Sequence, residues 1–232
     1  MTRINAPKHC DPTAYEWFEK CLPRLDTTRG LLSAAVAMSR HAMKDANEQK
    51  VNDLIAELAN QVRSRWHGAS TAGLLAHLHH TLFEEAGFRG NTADYYNPRN
   101  SYLTAVLSNR QGIPISLTLI YKAVAEELGL QVCGVNAPVH FLAEVRAPDD
   151  TFLVDVFHGG RLLTRNEARQ LLESLIGAAL PDDDRLFEIA THTKWITRML
   201  RNLQSAYSLQ GAFSDAEAMR ELEELITSVE LE

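Results

Sequence analysis

An α+β fold, rich in helix and carrying a small antiparallel sheet, is predicted by three observations. Apolar residues recur at helical spacing through most of residues 12–128, and again after residue 164. Between them, two short runs rich in β-branched and aromatic residues flank Ala147-Pro148-Asp149-Asp150, a turn composition. The chain has 232 residues and 45% hydrophobic content, enough to build a sizeable core.

The elements follow in order. Pro12–Cys21, Gly30–Lys44, Asn47–Trp66 and Thr71–Ala86 read as helices, with breaks at Pro23, Gly68 and Gly87. A loop from Gly87 to Asn97 leads to Asn97–Leu103, whose Pro98 and Asn100 suit the start of a helix over Ser101–Arg110. Asn97 or Asn100 could donate to an oxyanion, although helix capping is the commoner use of either. Pro114 suits a first helical turn, and Leu117, Ile120, Tyr121, Val124 and Leu128 make the stripe of a helix that Gly129 closes. Ser116 therefore lies within or just before that turn, where free backbone N–H groups face outward.

Leu130–Gly134 reads as a strand, and His140–Val145 with Phe152–Phe157 as a hairpin. If Arg146 pairs with Thr151, His140 faces Phe157 and lies diagonal to Asp155 on one side of the sheet. The other side then holds Phe141, Ala143, Val145, Phe152, Val154 and Val156, all apolar, which supports the register. An aspartate among Leu153, Val154, Val156 and Phe157 is costly to bury alone, and His140 is its natural partner. That pair is either a structural tie across the hairpin or half of a catalytic site.

Thr164 with Glu167 three residues on forms a capping-box pattern for a helix to about Ile176. Leu180-Pro181-Asp182-Asp183-Asp184 breaks the chain, and 185–210 and 214–229 form two helices around Gly211. One such helical pair cannot bury its own apolar face, so it should dock on the core or on a partner.

Lys and Arg total 23 against 30 Asp and Glu, a net charge of −7, and no basic stripe with interleaved aromatics occurs. Nucleic-acid binding is not expected. The first ten residues lack a signal-type apolar run and no stretch approaches a membrane span, so the expectation is a cytoplasmic protein with no membrane association. Cys10, Cys21 and Cys133 leave one thiol unpaired in any disulfide scheme, and Cys133 within a strand reads as a small core residue. His77, His80 and Glu84 share a helical face, but zinc sites draw ligands from more than one segment. They read as hydrogen-bonded groups on a half-exposed helix, and no cofactor or metal is expected.

Phe83–Asn91, Tyr95–Leu103, Gly112–Leu117, His140–Leu142 and Val154–Phe157 resemble the bacterial Sir-regulator-B-type (SirB-like) proteins of the transglutaminase-like superfamily, a domain related to one in some eukaryotic F-box proteins. The resemblance covers roughly residues 70–176 closely and implies a papain-like fold, in which a helix bearing the nucleophile packs on a sheet carrying His and acid. By matched positions Ser116 stands at or beside the usual cysteine, His140 at the histidine and Asp155 at the acid. Val139 departs from the glycine common before that histidine. The implied divisions are an N-terminal helical region (1–68), the transglutaminase-like core (69–177) and a tetratricopeptide-like hairpin (178–232).

Serine gains little from the ion pair that activates a thiol, and Ser is also a preferred N-cap. The expectation is a site degenerate for thiol chemistry that binds a peptide or protein partner in a regulatory role. The alternative is an active hydrolase or acyl transferase with Ser116 as nucleophile, His140 as base and Asp155 as orienting group.

Overall fold

Side-chain caps set where the chain turns helical. Asp11, Thr27, Asn47 and Ser70 each accept a backbone N–H at the head of α1 (Pro12–Cys21), α2 (Thr28–Arg40), α3 (Glu48–Arg65) and α4 (Thr71–His79). The computed structural model describes residues 6–68, 70–148, 150–181 and 183–230, without the side chains of 229 and 230. The extreme N-terminus, Asp149 of the hairpin turn, Asp182 of the acidic break and the last two residues lie outside the described residues. The helix expected over 71–86 divides. After α4 a π-helical segment (His80–Glu85) follows, with Ala86 N–H donating to the Thr81 carbonyl at 2.9 Å.

Asn97 caps a short 3-10 turn (Pro98–Asn100), so α5 is shorter than expected, running from Leu103 to Asn109. Two-residue strands β1 (Arg89–Gly90) and β2 (Gln111–Gly112) pair in parallel on either side of it. Then α6 (Pro114–Glu127) leads into an antiparallel sheet of β3 (Gln131–Val135), β4 (Leu142–Arg146), β5 (Thr151–Asp155) and β6 (Arg161–Leu163) in that order. Arg146 does pair with Thr151.

That register puts Phe141, Ala143, Val145, Val154 and Val156 into the main core with α6, and Phe152 packs at its margin. The opposite face is also covered: Val135, Leu142, Leu153 and Leu163 meet Ala168, Leu172 and Phe187 beneath α7 (Arg165–Ile176), which the Thr164–Glu167 capping box starts. The hairpin strands end sooner than expected at the open end. His140 precedes β4, because Val139 takes a left-handed backbone, and Phe157 falls in a turn closed by Gly160 N–H on the Asp155 carbonyl.

Residues 188–190 do not join a helix. Glu188 and Ala190 bond to Asn136 and Gly134 and cover the edge of β3. α8 (His192–Leu209) buries Trp195, Met199, Leu200 and Leu203, and α9 (Phe213–Glu230) buries Met219, Leu222 and Leu225. This pair docks within its own chain: Tyr102 and Tyr207 share a 2.7 Å hydroxyl contact, and Glu221 accepts the N–H groups of Lys8, His9 and Cys10. Its apolar residues belong to the same cluster as those of α1 and α2. Among the described residues, no helix is long and apolar enough to cross a membrane.

Candidate functional site

Three polar side chains meet where the β4–β5 hairpin opens. His140 Nε2 lies 3.0 Å from Asp155 Oδ1, with His140 3% and Asp155 1% exposed. The other carboxylate oxygen, Oδ2, is 2.6 Å from His158 Nδ1, and His158 N–H donates to Oδ1 at 3.3 Å. One atom from each of His140, Asp155 and His158 lies within 4.8 Å of the others, so the trio could hold a metal ion. Burial works against the Asp155 charge, but hydrogen bonds and charge from His140 and then His158 prevail and hold its carboxyl below its ordinary value.

The turn that brings His158 back over Asp155 rests on a layer of aromatic groups. Gly160 has φ +76, and a Cβ there would come within 2.3 Å of Phe83 and 3.0 Å of His79. His79 Nε2 in turn meets the Tyr121 hydroxyl at 3.0 Å, and burial pushes its imidazole down to about 4. The π-helical turn carries Phe83, whose ring lies nearly parallel to Tyr121 at 6.4 Å. From α8, Arg198 donates to Asn136 Oδ1 and the Ala137 carbonyl, tethering the segment that enters His140.

Ser116 has a different environment. It is the third residue of α6, not its cap, since Ile113 holds that position. Its hydroxyl is fully buried and lies 2.6 Å from the Asn100 carbonyl and 3.0 Å from that of Ile113, so its single proton goes to a backbone oxygen. A Cβ on Gly112 would sit 2.8 Å from this oxygen. No hydrogen bond joins Ser116 to His140 among the described residues, whereas His140 and Asp155 are brought together as the register required.

The asparagines brace this arrangement. Asn97 accepts the Arg99 N–H, while Asn100 donates to the carbonyls of Asp94 and Tyr95 and accepts from Asn91. The helical trio foreseen as a metal alternative separates: His77 packs on Trp66, and His80 pairs with Glu84 and Glu85. Cys133 is half-buried in β3. Sequence reasoning passed over His158 and Arg198. The signal for His158 was present, a histidine three residues after the aspartate and followed by Gly159-Gly160.

Around the trio the surface is apolar and exposed. Tyr96 is 61% and Val139 57% exposed, and Tyr95 bridges Tyr96 and Phe157 edge-on at 5.4 and 6.0 Å. Phe157 stands perpendicular to His140, ring centres 6.1 Å apart.

A family model described as transglutaminase-like superfamily matches residues 48–201. A "UPF0162 protein" of Xylella fastidiosa is 36% identical over 187 residues, covering 79% of this chain and 66% of its own length. The corresponding Pseudomonas aeruginosa protein is 30% identical over 78% of this chain and 64% of its own. Mouse F-box only protein 21 is 34% identical over 62% of this chain, a stretch that makes up 23% of that protein. The match thus spans just under two thirds of the length of these two bacterial relatives. No solved structure matches it significantly.

Proposed function

Since the chain belongs to the transglutaminase-like superfamily, we propose that it is a SirB-like member that keeps the histidine–acid half of the site, lacks a working nucleophile, and binds a peptide or protein partner in a regulatory role. The observation that carries this is the Ser116 hydroxyl, buried and within hydrogen-bond distance of two backbone carbonyls, one of which takes its proton. A nucleophilic serine needs a base within hydrogen-bond reach, and its oxygen must be open to substrate. Neither condition is met at Ser116.

Partner binding is supported by the exposed Tyr95, Tyr96 and Val139 beside the histidines, a surface suited to an extended peptide with apolar side chains. It is also supported by the occurrence of a similar stretch inside the much longer F-box only protein 21. The α8–α9 pair is assigned in this proposal to a tetratricopeptide-like hairpin that packs on the N-terminal helical region, and the protein to the cytoplasm.

A fluorophosphonate probe on the full chain tests the nucleophile. We expect no labelling at Ser116. Stoichiometric modification there, lost in His140→Ala, would establish the hydrolase or acyl-transferase alternative built on Ser116, His140 and Asp155.

A further inference from the structure

We propose that His140, Asp155 and His158 form a binding site for one late first-row divalent cation of the Zn²⁺ class, with its remaining coordination positions open on the exposed His158 side. The inference does not rest on the inertness of Ser116; it concerns the other half of the site.

The donor set comes first. Two imidazole nitrogens and one carboxylate oxygen are the protein ligands of many open zinc sites, in which a fourth position is left to water or ligand. Calcium and magnesium want oxygen donors in larger number, so the two histidines select against them. The geometry agrees. Ligands at zinc bond lengths stand on the order of 3.4 Å apart around a tetrahedral ion. The three candidate atoms already lie within 4.8 Å of one another, with His140 Nε2 at 3.0 Å and His158 Nδ1 at 2.6 Å from Asp155 oxygens. An ion entering this cluster would replace the two imidazole–carboxylate hydrogen bonds with metal–ligand bonds.

The arrangement is also built for more than one histidine. His140 meets one oxygen of the buried carboxylate, and any donor could have served the other. The chain nevertheless doubles back through Gly159 and Gly160, both at positive φ, and sets a second imidazole on the other carboxylate oxygen. That second ring is the exposed one, its side chain 45% accessible, which gives an ion a route in from solvent. A bound peptide could then supply a carboxylate or carbonyl oxygen to the open positions, beside Tyr95 and Tyr96.

The full chain, stripped with a chelator, would be titrated with zinc chloride alone by calorimetry in the presence of a weak competing chelator. One saturable site is expected, weakened at least about ten-fold in His158→Ala and unaltered in His80→Ala or Cys133→Ser. His158→Gln, which retains a polar group on the same loop, provides a second variant should the alanine change disturb folding. Cobalt(II) on the unmutated chain should give visible bands without a thiolate charge-transfer band. Absence of saturable zinc binding by the unmutated chain would overturn the proposal. So would a thiolate band, or full affinity in both folded His158 variants.

Discussion

The head of α6 and the open end of the β4–β5 hairpin offer the same kinds of atom, yet use them differently. At α6 a hydroxyl is sealed: Ser116 is inaccessible, and the loop carbonyl of Asn100 takes its proton. At the hairpin a buried carboxylate is held by two imidazoles, one of them facing solvent. The first arrangement ties a loop to a helix. The second sets a buried carboxylate and imidazole beneath one exposed imidazole and an aromatic rim. In the function proposed above, binding belongs to the hairpin, whose polar groups are tied into the fold and partly reachable from solvent, whereas the head of α6 is structural alone.

The largest expected effect contrasts the two directly. Asp155→Ala removes the carboxylate to which both His140 and His158 are bonded, and breaking a buried pair of this kind costs about 3 kcal/mol. Ser116→Ala gives up one hydroxyl bonded to backbone oxygens, worth about 1 kcal/mol. Urea unfolding of both variants would measure the difference. Equal losses would mean that the two ends are structural in the same sense, and the contrast would collapse.

Part of this contrast was legible in the sequence. Alternation along 140–157 marks the hairpin register, and with it the meeting of His140 and Asp155, because a one-residue slip of either strand would carry Glu144 or Asp155 into the main core in place of Val145 or Val154. The environment of Ser116 was not legible. Its partner is the carbonyl of Asn100, sixteen residues upstream, and the backbone oxygen of a loop leaves no mark in residue type. The π-helical turn was hidden for a related reason: the apolar spacing of 71–86 continues smoothly, and the widening shows only in where His79 and Phe83 pack. The early ends of β4 and β5 follow from positive φ at Val139 and from the Gly159-Gly160 turn; glycines announced the second, while valine concealed the first.

The layer under the His158 turn gives a pH-dependent test of intermediate size. In the folded chain His79 is held neutral down to about 4, whereas an unfolded histidine protonates near 6.5. Its contribution to stability is thus complete above about pH 6.5 and is lost as pH falls toward 4, since the unfolded chain takes up a proton that the folded chain refuses. Allowing for its partial exposure, the loss is about 2 kcal/mol. The urea midpoint of the unmutated chain should fall more steeply over that interval than that of His79→Gln. Parallel slopes would show that His79 protonates in the folded state, and that the support beneath Gly160 is looser than its contacts indicate.

The smallest expected effect concerns Val139, on the rim of the open end. A β-branched residue at φ 52 is strained, because its Cβ crowds the neighbouring carbonyl, at a cost of roughly 1–2 kcal/mol. Glycine relieves that strain but loses more backbone freedom on folding, by roughly 0.5–1 kcal/mol. With Val139 57% exposed, little burial is forfeited, so Val139→Gly should stabilise the chain by about 0.5 kcal/mol, a small rise in the urea midpoint. A fall in the midpoint would mean that the valine side chain contributes packing at the rim. The hairpin end would then be more closed, and closer in character to the head of α6, than the exposure of Tyr96 and His158 implies.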